Sequence, residues 1–458
     1  MELRLNFVQR SLTRTPARDA AGPADVTSAL RRTDRTQSLS ETPMSRVGAP
    51  TSRRLAWRRL AGTAASRRRF AALTLAVLLT ACATAPPPPS LPSRIDAAID
   101  RPTVRHAYWS ILVEEADGRV LYEHNADKLN MPASNRKVFA AATIANCLGL
   151  ETRLQTEIWR DGEDLVLRGD GDPSLGSWRY YRENDFDVLA QQLRAQGVTR
   201  VRDVIADVSL FDRITIPGSW KHGNIGSDYA APVDALTWGE SEVPVDRAVP
   251  DSGLHAANAL REALLLRDVE VTGTTRLQTE PRVWPEKLAV LPSPFVSQLL
   301  TTVLKNSHNL YTEMLLKRAG GGTYERAFAL ERELLTRELA VNGEWFRFVD
   351  GSGLAPDDLV TPRATVKALR WMHDPVRRGF WWSVLAQPAS EGTLRRRLLP
   401  LEQRLRGKTG TINGVNALSG ILEMPGGGFR YFCVVVNHHA GDADAVAVID
   451  EIVRMVAE

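Results

Sequence analysis

A serine and a lysine three residues apart form the first candidate catalytic pair in this 458-residue chain. The run is Ser134-Asn135-Arg136-Lys137, and Lys137 is the only one of eight lysines that has a serine three positions before it. A serine hydroxyl is a weak nucleophile until a neighbouring base takes its proton. Residues three apart at a helix start share a face, and burial can lower the pKa of a lysine enough to make it that base. A capping serine beside an exposed lysine is the alternative interpretation.

The second motif is Ser307-His308-Asn309, which is the only Ser-x-Asn in the chain. It lies between two predicted helices, where a hydroxyl and a carboxamide can point into a cleft. Ser307 would then relay a proton to a leaving amine, and Asn309 would hold a substrate amide. A helix cap is the structural alternative, because serine and asparagine both cap helices well.

The third motif is Lys408-Thr409-Gly410-Thr411, which contains the only Lys-Thr-Gly of the chain and falls on a predicted strand. A lysine and a hydroxyl on one strand can receive a carboxylate, and a glycine between them lets a substrate backbone approach closely. The alternative is an edge strand whose lysine discourages pairing with another chain.

The elements that must position these motifs follow an interrupted α/β pattern. Two strands around a turn at 117–118 come first, a helix that is apolar on all sides is predicted over 137–148, and three strands and a helix close the chain. The first hairpin and the last three strands can form one antiparallel sheet flanked by helices. We therefore predict an α/β (α+β) fold with a catalytic domain over 95–150 and 287–458 and an inserted smaller domain over 151–286.

The first residues are typical of a targeting segment. A basic cluster at 67–69 precedes an apolar run over 71–81, which is too short to cross a membrane as a helix, and Cys82 follows. We predict a basic leader and signal peptide over 1–81, a lipidated Cys82 and a proline-rich tether over 82–94. The ending Leu79-Thr80-Ala81-Cys82 resembles a bacterial lipobox. The alanine after the cysteine implies, by resemblance to sorted lipoproteins, a periplasmic protein anchored to the outer membrane.

The net charge of +4 averages two unlike parts. Residues 1–81 contain 15 arginines and 5 acidic residues, whereas the remainder contains 43 basic and 49 acidic residues. Because the body is mildly acidic, the sequence does not predict a nucleic-acid partner. The ordinary proportions of hydrophobic residues (43%) and charged residues (24%) exclude a wholly disordered chain and a polytopic membrane protein.

In combination, the three motifs are far more specific than any one of them. Serine-x-x-lysine, serine-x-asparagine and lysine-threonine-glycine in this order are the signature of penicillin-recognising serine enzymes. Gly169-Asp170-Gly171-Asp172-Pro173-Ser174-Leu175, Asp350-Gly351-Ser352-Gly353-Leu354 and Glu391-Gly392-Thr393-Leu394 narrow the resemblance. Over about 95–456 the chain resembles the D-alanyl-D-alanine carboxypeptidase/endopeptidase family of penicillin-binding protein 4.

The resemblance implies an acyl-enzyme mechanism on peptidoglycan stem peptides, with β-lactams as inhibitors and no metal or cofactor. Ser134 would be the nucleophile, Lys137 its base, and Ser307 and Asn309 would assist the leaving group and the substrate. The residues implied to bind substrate are Lys408, Thr409, Gly410, Thr411 and, for a free amino group, Asp172. The backbone N–H groups of Ser134 and Thr411 would form the oxyanion hole.

Some features depart from this family or leave other functions open. The interval between Ser134 and Ser307 is 173 residues, which is shorter than the family leads us to expect. Ala355-Pro356 stands where the family commonly has Ser-Arg, which leaves side-chain specificity open. The alternatives are a serine β-lactamase, although no Glu-x-x-Leu-Asn run follows Ser134, and a non-catalytic peptidoglycan-binding scaffold. His438-His439 with two nearby aspartates is interpreted as a polar turn rather than a metal site.

The other two cysteines, Cys147 and Cys433, are predicted to be buried thiols, although a disulfide between them stays open. The oligomeric state has no signal in the sequence.

Overall fold

The computed structural model describes residues 88–243 and 246–458. Their helices are α1 (Leu91–Ile99), α2 (Lys137–Leu148), α3 (Asp185–Ala195), α4 (Ser252–Leu266), α5 (Val296–Lys305), α6 (Asn309–Ala319), α7 (Tyr324–Arg337), α8 (Pro362–Met372), α9 (Arg378–Val384) and α10 (Asp442–Val456). The longer strands are β1 (Tyr108–Glu115), β2 (Val120–His124), β3 (Arg153–Asp161), β4 (Asp164–Arg168), β6 (Val204–Asp207), β10 (Thr275–Gln278), β11 (Glu286–Phe295), β14 (Leu405–Ile412), β15 (Val415–Glu423) and β16 (Phe429–Asn437). Two-residue strands are β5 (Arg200–Val201), β7 (Glu242–Val243), β8 (Arg247–Ala248), β9 (Glu270–Val271), β12 (Phe346–Arg347) and β13 (Leu359–Val360).

The sheet that carries the third motif has five strands in the order β14-β15-β16-β1-β2, and every neighbouring pair is antiparallel. The initial hairpin and the three final strands therefore share one sheet, as the sequence predicts. The Lys-Thr-Gly motif lies on β14 at the sheet edge, where Lys408 pairs with Ser419 of β15. An edge strand leaves one side of its backbone free for another extended chain.

Helices cover both faces of this sheet. The core on one face contains α2 together with apolar residues of α5, α6, α7 and α8, and the core on the other face contains α1 and α10. In α2, every residue from Lys137 to Ile144 is buried. A helix that is apolar on all sides is predicted to lie inside a domain, and this prediction is confirmed.

The inserted region has a sheet of its own, in the order β10-β6-β4-β3-β11. It is mixed, because β6 runs parallel to both β4 and β10. Strand β11 pairs with β3 along most of its length, so the inserted region ends near Phe295 rather than at residue 286. The sequence placed 287–295 in the catalytic domain because a strand pattern does not say which sheet the strand joins.

Residues 91–94 belong to α1 and not to the tether predicted over 82–94. The side chain of Ser90 caps the helix, and Pro92 lies in its first turn, where a proline has no hydrogen bond to lose. Ile95, Ala98 and Ile99 are buried against the catalytic core. The proline that suggested an extended tether is therefore part of a helix start.

Both cysteines of the described residues are unpaired; Cys433 is buried and Cys147 is exposed, so the prediction of a buried Cys147 was wrong. Cys147 lies near the end of α2, beyond the buried residues 137–144. Among the described residues, no helix is long and apolar enough to cross a membrane. The predicted signal peptide, Cys82 and most of the tether lie outside the described residues.

Candidate active site

Ser134 lies in a short 3₁₀ turn (Ala133–Arg136) that leads directly into α2. Two glycines allow neighbouring backbones to approach this turn. A Cβ atom on Gly410 would lie 2.7 Å from the Pro132 carbonyl oxygen and 3.1 Å from the Ser134 nitrogen, and one on Gly353 would lie 1.9 Å from the Ala133 carbonyl oxygen. The close contact places β14 beside the backbone N–H of Ser134.

Lys137 lies beside Ser134 and is completely buried. Its Nζ is 2.9 Å from Ser134 Oγ, 2.6 Å from Asn309 Oδ1 and 2.7 Å from the Ser352 carbonyl oxygen. Burial is the main cause that lowers the pKa of Lys137 to about 7, and the nearby carboxylates of Asp350 and Glu313 oppose it. A substantial fraction of the amine is therefore neutral near neutral pH.

The three contacts of Lys137 direct its lone pair. A neutral amine has two hydrogens, and Asn309 Oδ1 and the Ser352 carbonyl can only accept them. The remaining direction is toward Ser134, whose hydroxyl can donate to the amine. Neutral Lys137 is thus oriented to take the Ser134 proton.

The second motif begins in a strained conformation. Ser307 has φ 64°, the left-handed region that residues other than glycine rarely adopt, and its Oγ accepts a hydrogen bond of 2.8 Å from Lys408 Nζ. Asn309 is the first residue of α6, and its Nδ2 donates to the Tyr229 carbonyl at 2.8 Å while its Oδ1 accepts from Lys137. One Nδ2 hydrogen is left for a substrate carbonyl.

Lys408 is also completely buried, and its Nζ donates to the Thr409 carbonyl at 2.7 Å as well as to Ser307. Burial is the main cause that lowers the pKa of Lys408 well below its usual range, and the proximity of Lys137 adds to it. A carboxylate arriving at this amine would favour its charged form.

The motifs meet at one cavity of about 390 Å³. The residues that line it are Ser134, Lys221, Asn224, Tyr229, Ser307, Asn309, Gly353, Leu354, Thr411, Ile412 and Asn413. The three motifs and the inserted region all contribute to this list. The structure therefore brings together Ser134, Lys137, Ser307, Asn309 and the Lys408–Thr411 strand segment, as the sequence predicts.

Asp172 is the exception among the predicted site residues. It is only 2% exposed, and its carboxylate accepts hydrogen bonds from Ser174 and, at 2.6 Å, from Arg182 NH1. It is not among the residues that line the cavity. Because its charge is already paired inside the inserted region, the structure contradicts the interpretation that Asp172 binds a substrate amino group.

A buried acidic cluster fixes the loop that contacts Lys137 and was not predicted from the sequence. Glu313 accepts hydrogen bonds from the backbone N–H groups of Gly351 and Ser352, and Asp350 accepts from Gly353 and Ala355. These bonds fix the loop whose Ser352 carbonyl holds Lys137. The motif over 350–354 supports the family resemblance, but only the three-dimensional structure shows that its backbone binds these carboxylates and contacts Lys137.

Arg136, inside the first motif, is buried as well. Its guanidinium makes a bidentate pair with Glu331 at 2.7 and 2.8 Å, and its Nε donates to the Asp350 carbonyl at 2.9 Å. Paired burial of this kind satisfies both charges, and removing one partner alone is costly. Arg136 thus connects the nucleophile turn to α7 and to the loop that holds Lys137.

Among the described residues, one group has ligand atoms close enough for a metal: Glu240, Glu242 and His308, within 4.8 Å of one another. Glu240 is already engaged by Arg179 and by the hydroxyls of Ser177 and Tyr311. Burial raises the pKa of Glu240, but His308, Ser177 and Arg179 outweigh it and lower the pKa to about 2. Through the contact of 3.0 Å between His308 Nε2 and Glu240 Oε2, this group joins the inserted region to the second motif.

This fold and this arrangement of motifs define a penicillin-recognising serine enzyme. The profile of the D-Ala-D-Ala carboxypeptidase 3 (S13) family matches residues 91–246 and 238–458. The chain belongs to this family and is a D-alanyl-D-alanine carboxypeptidase-type enzyme.

Individual proteins show the same relationship. The chain is 28% identical to a D-alanyl-D-alanine carboxypeptidase of Actinomadura sp. (strain R39), with 88% of this chain and 92% of that protein covered. It is 27% identical to carboxypeptidase DacB of Mycolicibacterium smegmatis, with 73% and 77% covered. The crystal structure of penicillin-binding protein 4 from Haemophilus influenzae matches with a TM-score of 0.72 at 18% identity, over 80% of this chain and 99% of that one.

Proposed function

We propose that this enzyme cleaves the terminal D-alanyl-D-alanine bond of peptidoglycan stem peptides through an acyl-enzyme on Ser134. The observation that carries the proposal is the contact of Ser134 Oγ with the buried Lys137 amine, whose hydrogens have two other acceptors. The proposal adds residue roles to the carboxypeptidase class that the family defines.

In the first step, Ser134 Oγ bonds to the carbonyl carbon of the penultimate D-alanine and its proton passes to Lys137 Nζ. The oxyanion forms beside the backbone N–H groups of Ser134 and Thr411, which the tight packing of Gly410 against the Ser134 turn brings close together. The C–N bond then breaks, and the terminal D-alanine leaves as an amine after it receives a proton.

Ser307 and Lys408 stand on the leaving-group side of this reaction. The Lys408–Ser307 hydrogen bond of 2.8 Å connects the amine that would face the terminal carboxylate with a hydroxyl that can pass a proton to the departing nitrogen. Thr409 and Thr411 on β14 add hydroxyls for the same carboxylate. The proton that Lys137 took from Ser134 leaves with the departing amine, so Lys137 is neutral again when water attacks the acyl-enzyme. Lys137 takes a proton from that water and returns it to Ser134 Oγ as the ester bond breaks.

The relatives support peptidoglycan and β-lactams as ligands. Penicillin-binding protein 4 of Haemophilus influenzae has been solved in a complex with a β-lactam, and a structural neighbour from Bdellovibrio bacteriovorus is described as a peptidoglycan endopeptidase, with a TM-score of 0.53 at 15% identity. We infer that this chain is acylated by penicillins and that it can cut either a terminal D-alanine or a crosslink.

We further propose that the mature protein is a periplasmic lipoprotein anchored to the outer membrane through Cys82. The basis is the basic cluster, the short apolar run and Leu79-Thr80-Ala81-Cys82. Mass spectrometry of the mature amino terminus should find a lipidated Cys82, and Cys82→Ser should abolish the modification. An unmodified mature terminus at another residue would contradict this proposal.

The central experiment compares wild type with Ser134→Ala. Wild type should be labelled covalently by a fluorescent penicillin and should release D-alanine from a pentapeptide ending in D-Ala-D-Ala. Ser134→Ala should lose both, while Ser90→Ala, at a distant helix cap, should keep both. D-alanine release by Ser134→Ala at the wild-type rate would overturn the proposal. Rapid turnover of nitrocefin without stable acylation would favour a β-lactamase instead.

A further inference from the structure

The wall of the cleft opposite β14 comes from the inserted region. Residues 220–229, which we name the cleft segment, contribute Lys221, Asn224 and Tyr229 to the cavity lining. They include two short 3₁₀ turns and no longer helix or strand. Such a segment keeps its position only through its contacts.

Two hydrogen bonds attach the cleft segment to the catalytic machinery. Near its start, the buried Trp220 donates from Nε1 to Asp350 Oδ2 at 2.9 Å. Near its end, the Tyr229 carbonyl accepts from Asn309 Nδ2 at 2.8 Å. Asn309 contacts Lys137 directly, and Asp350 belongs to the loop whose Ser352 carbonyl also holds Lys137. The cleft segment is therefore fixed on the Lys137 side of the cavity.

Among the described residues that line this cavity, Lys221 is the one with a charged side chain. It is exposed, and within the described part of the chain its ammonium makes no ion pair or side-chain hydrogen bond. Arginines elsewhere in the inserted region are commonly paired, as Arg182 is with Asp172 and Arg202 with Asp164. An exposed ammonium without an ionic partner attracts anionic groups of a ligand that binds in this cavity.

The position of Lys221 decides which part of the substrate it meets. Lys408 and Ser307 lie on the side assigned to the terminal carboxylate and the leaving D-alanine. The anchors of the cleft segment, Asp350 and Asn309, lie on the side of Lys137 and of the acyl group. A ligand group that reaches Lys221 therefore belongs to the part of the peptide that stays on the enzyme after the leaving group departs.

We propose that Lys221 is a specificity-determining residue that binds a carboxylate on the acyl part of the stem peptide; this rests on the proposed function of the same cleft. Two sources of such a carboxylate exist in stem peptides: the side chain of a diamino diacid at the third position, and the α-carboxylate of a γ-linked glutamate at the second position. An exposed ammonium binds either one, so the experiment must separate them.

The experiment uses three pentapeptides that end in D-Ala-D-Ala. The first contains both free carboxylates, the second has the third-position carboxylate amidated, and the third has the glutamate α-carboxylate amidated. In wild type, one amidation should lower kcat/KM for D-alanine release about tenfold, the typical effect of losing one charge-assisted contact. The amidated peptide from which D-alanine is released more slowly shows which of the two carboxylates the enzyme binds.

Variants then assign the effect to Lys221. Lys221→Met should reduce the ratio of kcat/KM between the free and the amidated peptide to near 1, and Lys221→Arg should largely retain it. Lys128→Met is the matched control, because Lys128 is an exposed lysine outside the cavity lining, and it should keep the wild-type ratio.

The outcomes separate the two proposals. If wild type releases no D-alanine and is not labelled by penicillin, the proposed function fails. If wild type is active but cleaves all three peptides equally, or if Lys221→Met keeps the wild-type discrimination, the assignment of Lys221 is overturned and the proposed function stands. Should Lys221→Met fail to fold, Lys221→Gln, which keeps a polar side chain without the charge, gives the same test.

Discussion

The two walls of the cleft use lysine in opposite ways. On the catalytic side, Lys137 and Lys408 are completely buried and their amines contact hydroxyl, amide and carbonyl oxygens. On the inserted side, Lys221 is exposed and has no partner among the described residues. Burial favours the neutral amine, which suits Lys137 as a base and leaves Lys408 to become charged when a carboxylate binds, whereas exposure keeps Lys221 charged before any anion arrives.

The two walls also differ in the regularity of the backbone that forms them. The three motifs lie on or directly before regular elements, namely the start of α2, the start of α6 and strand β14 of an antiparallel sheet. The cleft segment is irregular and depends on a few hydrogen bonds for its position. We therefore expect substitutions in the catalytic wall to affect the reaction strongly and those in the inserted wall to affect it less.

Removal of the base should have the largest effect. Lys137→Ala should slow acylation by penicillin about 1000-fold, because general base catalysis typically contributes 10²- to 10⁴-fold. The measurement is the second-order rate constant of labelling by a fluorescent penicillin. Lys128→Ala should acylate like wild type. A Lys137→Ala rate within tenfold of wild type would remove the distinction between the two walls.

The second largest effect is expected from a substitution that pushes β14 away from the turn that contains Ser134. In Gly410→Ala the added methyl would meet the Pro132 carbonyl oxygen at 2.7 Å, so the strand and the Ser134 turn must separate. A displacement of this kind can lower the acylation rate about 100-fold. Gly426→Ala, where no atom lies within 4 Å of the new methyl, is the control. Equal acylation rates for the two variants would show that this contact does not position Ser134.

The anchor of the cleft segment should have the smallest effect. Trp220→Phe keeps most of the apolar volume but loses the hydrogen bond to Asp350. We expect kcat/KM for D-alanine release to fall about fivefold, as for the loss of one ordinary hydrogen bond, because Asp350 keeps its bonds from Gly353 and Ala355. The exposed Trp178 offers the control Trp178→Phe. A loss comparable to that of Lys137→Ala would mean that the inserted wall takes part in the chemistry itself.

The regular part of the fold was accessible from the sequence. The helix predicted over 137–148 has these bounds in the structure, and the strands predicted over 404–411, 416–423 and 430–437 agree to within one residue. These segments are long, strongly apolar and ended by clear turn residues. The three motifs were found because each pairs residue types that are useful only together.

The irregular part was not accessible, for physical reasons. The sequence predicts this helix only over 260–267, but α4 begins at Ser252. Asp251 caps this start, and Gly253 packs where a Cβ would lie 2.9 Å from Leu277 and Val208. Glycine is a poor helix former, so only tertiary packing reveals this start. The pairing of Asp172 with Arg182 likewise depends on three-dimensional proximity, which no local pattern reports.

The pH dependence of acylation tests the central claim most directly, namely that neutral Lys137 is the base for Ser134. Burial lowers the pKa of Lys137 to about 7, and only the unprotonated amine can accept the serine proton. The second-order rate constant for penicillin acylation should therefore fall about tenfold per pH unit below about pH 7 and reach a plateau above it. A rate constant that is unchanged from about pH 5 to about pH 9, or that rises as the pH falls, would contradict the account.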